Sequence, residues 1–224
     1  MYNKVLSGIL VVLILAIIGV LGYLGYGYYK KITLNADAKE YLEEFDTLVV
    51  ELAKEQEKDF DAENKSNENN ENNSTGANNT QTMRGIATDK LVYKGFTVVG
   101  KLEMPTIRIQ YPILDVITHA KAIEVSIGIL YGPGVNKPGN TVIIGHNYNN
   151  GLFFGKNKNL KIGEKIYLTD TYGNKVEYTI FDKYYTPESD TSYITRKTNG
   201  KTEVTLVTCD TTGKNRLVVC ARAE

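Results

Sequence analysis

The chain has 224 residues, 26 basic and 26 acidic, with two histidines, two cysteines and no tryptophan. Zero net charge, with no Arg/Lys cluster interleaved with aromatics, argues against nucleic acid as a partner. Cysteines and histidines without CxxC or HxxxH spacing offer no zinc site.

Val5 to Tyr29 is 25 residues without a charge, set between Lys4 and the Lys30-Lys31 pair. A helix needs roughly 20 apolar residues to cross a bilayer, so residues 1–31 are predicted to form a transmembrane anchor. A cleaved signal peptide is the rival reading. Its apolar region is shorter, about 7–15 residues, and ends in a small-residue cleavage site. Here the run ends Gly22-Tyr23-Leu24-Gly25-Tyr26-Gly27-Tyr28-Tyr29, and tyrosines gathered at one end suit the headgroup level. Lysines on both sides leave orientation undecided by charge, and long domains translocate largely regardless of it.

Residues 32–60 are predicted to be a juxtamembrane stalk helix. Ala38, Tyr41, Leu42, Phe45, Leu48, Val49 and Leu52 recur at three- and four-residue spacing, which makes one apolar stripe. Two heptads are too few for a stable coiled coil. Residues 61–90 read as a linker. Asp61 to Thr82 is dominated by Asn, Glu, Ser and Thr and cannot bury enough surface to offset its ordering entropy. Charge follows this division. Asn35–Thr82 carries 13 acids and 4 lysines, a net of −9; Met83–Glu224 carries 13 acids and 19 bases, a net of +6. The basic part points weakly to an anionic surface such as a membrane or cell wall.

Residues 91–224 change character. Phe96–Met104 and Ile107–Leu114 are short apolar-alternating runs with prolines, and Ala120–Ile127 suits a short helix. Thr141–Ile144, Lys165–Thr169, Lys175–Tyr185, Glu203–Cys209 and Arg216–Ala221 complete the set, with Gly132-Pro133-Gly134 and Pro138-Gly139 as turn signals. Seven or eight short strands with little helix predict a mainly β domain, a sandwich or a closed barrel.

His119 reads as a surface or helix-start residue. His146 follows an apolar strand directly after Gly145, a position that places a side chain on a rigid rim. Cys209 ends the run Thr205-Leu206-Val207-Thr208-Cys209, and Arg216 opens the next, Leu217-Val218-Val219. If Cys209 and Arg216 face each other across a hairpin, Cys220 lies opposite Thr205. That is about 13 Å from Cys209 along a strand. A disulfide needs Cα atoms within about 7 Å, so two free thiols are expected, Cys220 as a small buried residue.

Cys209, His146 and Arg216 suffice for acyl transfer. A thiolate is the nucleophile, and neighbouring positive charge favours it. Arg216 stays protonated and can also hydrogen-bond a carbonyl oxygen that becomes negative. His146 can donate a proton to a leaving amine and take one from an incoming nucleophile.

Thr205-Leu206-Val207-Thr208-Cys209-Asp210 resembles the TLxTC signature of sortases, the cysteine transpeptidases of Gram-positive surfaces. Asn215-Arg216-Leu217-Val218-Val219 is similar to their arginine-bearing last strand, and Val142-Ile143-Ile144-Gly145-His146-Asn147 to the strand carrying their histidine. Val98–Pro105 and Tyr111-Pro112-Ile113-Leu114 also fit, so the resemblance covers roughly Phe96–Glu224 with its motifs in order. It implies an eight-stranded sortase-type β-barrel with short helices behind a membrane anchor. It also implies cleavage of an LPXTG-like sorting signal between Thr and Gly. Cys209 would hold the acyl group, His146 would act as acid/base, Arg216 would stabilise the oxyanion, and Thr208 would contact substrate. The implied partners are surface proteins bearing a C-terminal sorting signal, a peptidoglycan precursor or cross-bridge amine (or a pilin lysine), and the membrane. The implied location is a single-pass protein of the cell membrane with its catalytic domain outside. No cofactor and no metal are expected. Asn147 and Gly151–Gly155 resemble class B, while Tyr111–Leu114 resembles classes A and D. The lack of an Asp-Pro-aromatic lid argues against class C.

Two other readings compete. An anchored adhesin or pilin component would have no need of Cys209. A cell-wall acyl-transferase of the L,D-transpeptidase type places its histidine a few residues before its cysteine, whereas His146 and Cys209 are 63 residues apart.

Overall fold

A computed structural model describes residues 2–67, 91–115 and 120–224. One helix, α1, runs Tyr2–Asn67. It passes without a break from the predicted anchor into the predicted stalk and continues seven residues into the stretch read as linker. The rest of that linker, and His119, lie outside the described residues.

Residues 1–37 and 38–224 are separate compact units. In the first, the apolar side chains from Val5 to Leu24 are exposed all round the helix, Val12 to 67%. An 18-residue window reaches a mean hydropathy of 3.0. An apolar helix exposed on every face requires an apolar surround, and this one fits a membrane anchor.

The second unit is a barrel with the C-terminal part of α1 packed on it. Its strands are β1 Val92–Tyr93, β2 Phe96–Met104, β3 Ile109–Asp115, β4 Ile127–Tyr131, β5 Gly139–Ile144, β6 Lys165–Asp170, β7 Lys175–Pro187, β8 Thr202–Cys209 and β9 Asn215–Ala223. The sheet order is β1-β2-β3-β4-β5-β8-β9-β7-β6, and β2 pairs β6 to close it. Eight strands thus form a closed barrel, with the two-residue β1 on its margin. The β3–β4 and β5–β8 pairs are parallel and the others antiparallel. Of the two architectures read from the sequence, closure selects the barrel. Long strands leave no unpaired edge that way.

The segment read as a helix to Ile127 divides. Ala120–Glu124 is a short 3-10 helix, and Ile127 opens β4. Gly128, the second residue of Ile-Gly-Ile-Leu-Tyr, weakens the strand signal, because glycine has little strand preference. Pairing with β3 on one side and β5 on the other recovers it.

The predicted stalk stripe is a packing face. Ala38, Tyr41, Leu42, Phe45 and Val49 are buried, while Glu43, Glu44 and Val50 on the other side are exposed. The Tyr41 and Tyr93 rings lie 5.1 Å apart. Asp46 receives two hydrogen bonds from the buried Lys101 of β2, at 2.6 and 2.8 Å. Val49 lies beside Gly173 of the β6–β7 turn, close enough that a Cβ there would meet its methyl at 2.9 Å. Each fully buried Leu or Phe of the stripe contributes about 1.5–3 kcal/mol. Helix self-association would compete for the surface that the barrel covers.

Phe45 is completely buried. Phe45→Ala is expected to cost about 3–5 kcal/mol of barrel stability, read as a lowered urea midpoint at unchanged slope.

Candidate active site

Three strands and their loops converge at one end of the barrel. β8 is β-branched and central, paired with β5 on one side and β9 on the other. Its register places Thr205 opposite Cys220 and Cys209 opposite Arg216, as the hairpin argument requires. Both thiols are free, Cys209 half-buried and Cys220 1% exposed. Burial pushes the Cys220 thiol up, and the Thr205 hydroxyl lies 3.9 Å from its sulfur.

The hairpin turn is held by one carboxylate. Asp210 accepts from the Asn215 side chain at 2.9 Å and from the Thr212 amide and hydroxyl at 3.0 and 2.8 Å. The Asp210 amide donates to the Asn215 carbonyl at 2.9 Å. Gly213 takes the left-handed conformation that closes the turn, at φ +75°. The Asn215 bond, joined by those from Thr212, holds the Asp210 carboxyl down to about 2.

Arg216 reaches across this hairpin. Its Nη1 donates to the Cys209 sulfur at 3.2 Å, and its Nη2 donates to Glu188, the first residue after β7. One guanidinium therefore spans the thiol and a carboxylate with different nitrogens, which fixes the plane of its fork. The other wall of this face is the segment between β7 and β8. Tyr193 is buried there against Val142, Val207, Val218 and Cys220. The Asn140 side-chain amide holds the segment by donating to the carbonyls of Tyr193 and Ile194, at 2.8 and 3.2 Å.

His146 stands just past β5. Gly145 before it is a steric requirement, since a Cβ there would lie 2.8 Å from Ile127 and 3.1 Å from the Phe154 ring. The loop that follows is tied on both sides. The Phe154 amide donates to the His146 carbonyl at 3.0 Å, and the Asn147 side chain donates to the Cys209 carbonyl at 2.8 Å. That second bond ties the histidine loop directly to the end of β8. The His146 Nε2 lies 2.9 Å from the Glu124 carboxylate. Tyr148 donates to the other oxygen of Glu124 at 3.3 Å. Burial and the Glu124 charge push the Tyr148 phenol up.

Thr208 is buried, and its hydroxyl donates to the Gly145 carbonyl at 2.7 Å. It thereby locks the end of β8 to Gly145, just before His146. With Cys209, Asn147, Phe154, Lys158 and Tyr185 it also lines a cavity of about 390 Å³ beside the thiol. No group of three or more His, Cys, Asp or Glu side chains suited to a metal occurs among the described residues.

The four residues read from sequence thus sit on adjoining strand ends. Glu124 and Glu188, which hold His146 and Arg216, carry no mark in the sequence, and Asn147, which holds the Cys209 carbonyl, is marked there only by its resemblance to class B. Glu124 and Glu188 lie 22 residues before and 28 residues before their partners, on other loops, so no local pattern marks them.

A family model described as the Sortase domain matches residues 102–224, more than half of the chain. The chain belongs to the sortase family. Solved relatives agree with this. Sortase A from Listeria monocytogenes is 27% identical, with a TM-score of 0.51 over 57% of this chain and 87% of that one. The sortase D5 transpeptidase of Clostridium perfringens is 25% identical, with a TM-score of 0.52 over 61% of this chain and 84% of that one. A lid mutant of sortase A from Corynebacterium diphtheriae is 26% identical, with a TM-score of 0.50 over 58% and 71%. No curated protein matches. The family is one of cysteine transpeptidases, and this sortase carries its fold behind a helix that fits a membrane anchor.

Two outcomes follow for this sortase. Iodoacetamide is expected to label Cys209 alone in the native protein and Cys220 only after unfolding, as read by peptide mass spectrometry. The Asp210 carboxyl is depressed on folding, so its stabilisation is present above the ordinary carboxylate range, about 3.9, and is lost as pH falls through about 2. Asp210→Asn is therefore expected to flatten the fall of Tm on acidification across that window relative to wild type.

Proposed function

We propose that this sortase cleaves an LPXTG-like sorting signal between Thr and Gly and transfers the carrier protein to an amine of the cell wall. The observation that carries the reading is the hydrogen bond from Arg216 Nη1 to the sulfur of Cys209. A carbonyl carbon bonding to that sulfur brings its oxygen within reach of the same guanidinium. Cys209 attacks the Thr–Gly carbonyl, and Arg216 donates to the oxygen as it becomes negative. His146 protonates the leaving glycine amine, the C–N bond breaks, and a thioester remains. An acceptor amine then attacks that thioester, gives a proton to His146, and expels the thiolate. A peptidoglycan precursor or cross-bridge amine suits this step.

Thr208 contributes the wall of the cavity beside the thiol, since its hydroxyl is committed to Gly145. The catalytic domain works outside the membrane, where sorting signals and wall amines meet, and Gram-positive cell-wall anchoring follows as its setting. The adhesin reading leaves the Cys209–Arg216 bond without a purpose.

The test uses the full chain in detergent with fluorogenic peptides carrying LPXTG-like variants. Wild type is expected to turn over at least one. Cys209→Ala is expected to abolish turnover, and His146→Ala and Arg216→Ala to lower kcat by about a hundredfold or more. Equal turnover by wild type and Cys209→Ala would refute the nucleophile assignment.

A further inference from the structure

We infer that Glu124 is a positioning residue that fixes the tautomer of His146, so that Nδ1 is the nitrogen that exchanges protons during acyl transfer. The inference rests on the functional reading above and goes beyond it. A neutral imidazole carries one N–H, and the partner of one ring nitrogen decides which tautomer is present. Nε2 lies 2.9 Å from the Glu124 carboxylate, an acceptor that rewards an N–H at that atom. With Nε2 protonated, the lone pair sits on Nδ1.

The geometry around the pair is tied from several directions. Glu124 ends the 3-10 helix Ala120–Glu124, whose Ala122 is fully buried. The Val125 and Ser126 amides both donate to the Ala122 carbonyl, at 3.1 and 3.2 Å. Ser126 is buried and its hydroxyl donates to the Pro112 carbonyl of β3 at 2.6 Å. The backbone on the C-terminal side of Glu124 is therefore fastened to the barrel. The second carboxylate oxygen is occupied by the Tyr148 hydroxyl at 3.3 Å, and the Tyr148 ring packs 5.3 Å from the His146 ring. Glu124 thus accepts from two residues of the same loop, one on each oxygen. On the histidine side, the Phe154 amide fixes the His146 carbonyl and Asn147 fixes the loop to Cys209.

The proton count closes on this arrangement. The imidazolium that faces the acyl step carries N–H bonds at both nitrogens. Nδ1 passes its proton to the leaving glycine amine as the C–N bond breaks, and Nε2 keeps its own proton, hydrogen-bonded to Glu124. The incoming amine later loses a proton to Nδ1 as its nitrogen bonds the thioester carbon and the thiolate leaves. Glu124 neither gives nor receives a proton in these steps. Its side chain is half-exposed, so the effect is on orientation and tautomer more than on net charge.

The test is imidazole nitrogen NMR on the full chain in detergent micelles, above the pH at which the ring loses its charge. Only His119 and His146 contribute signals, and His119→Ala assigns them. Wild-type His146 is expected to show the Nε2–H tautomer, with a pyridine-type shift at Nδ1. Glu124→Ala is expected to give a mixture of tautomers and to lower kcat by about tenfold to a hundredfold with KM changed less than about twofold. Glu124→Gln keeps an acceptor oxygen and is expected to recover most of the tautomer bias and part of kcat. A dominant Nδ1–H tautomer in wild type, or a wild-type kcat in Glu124→Ala, overturns the inference. If wild type turns over no peptide, the functional reading fails, while the NMR arm still decides the tautomer.

Discussion

The register of the β8–β9 hairpin is the constraint on which the site depends. Side chains alternate faces along a strand, so a slip of one residue would send Cys209 and Arg216 to opposite sides of the sheet. The turn prevents this with the Asp210 carboxylate, which gathers Thr212 and Asn215, and with a left-handed Gly213. Two neighbouring strands then hold the pair in place. β5 runs parallel to β8 and delivers His146 to the same end, while β7 delivers Glu188 to the far nitrogen of Arg216.

That end of the barrel is braced by polar contacts, and the body of the sheet by apolar ones. Val207, Val218, Val142 and Cys220 form an apolar strip under Tyr193 on the face that bears Cys209. Beyond the strip, the buried Glu203 pairs with both Arg196 and Arg222, whose Nε lies 2.7 Å away. A carboxylate buried this deeply needs paired donors, and two guanidiniums supply them. Cys220 belongs to this strip and keeps its thiol in apolar surroundings. The two cysteines of one hairpin thus have different chemistry because one faces the core cluster and the other faces the rim.

The helix divides its labour along its length. Up to Leu24 its apolar residues face outward on all sides, which suits lipid. From Ala38 its apolar residues collapse to a stripe that the barrel covers, closed by the Asp46–Lys101 pair. Lys101 is buried and would be costly there without that carboxylate. The unit that holds the barrel therefore includes about a dozen helical residues that precede its first strand by more than forty positions.

Much of this was legible in the chain. The uncharged run from Val5 to Tyr29 predicts a membrane-length helix by composition alone, and the β-branched runs predict most of the strands. The pairing of Cys209 with Arg216 and the free state of Cys220 follow from strand period and hairpin geometry, which are local, while the roles of the two residues rest on the resemblance to sortases. His146 stood out because a glycine and a strand end precede it. Other features required the fold. Barrel closure by β2–β6 joins residues about seventy positions apart. The stalk stripe is equally consistent with a lone amphipathic helix, and only the barrel surface decides what it covers. Glu124 and Glu188 carry no spacing that marks them as partners of His146 and Arg216, because loop–loop contacts between distant segments leave no period in sequence. Sequence determines which residues can do the chemistry and which face of each element they occupy; tertiary structure decides which carboxylate meets which nitrogen, since that depends on how distant loops are brought together when the sheet closes.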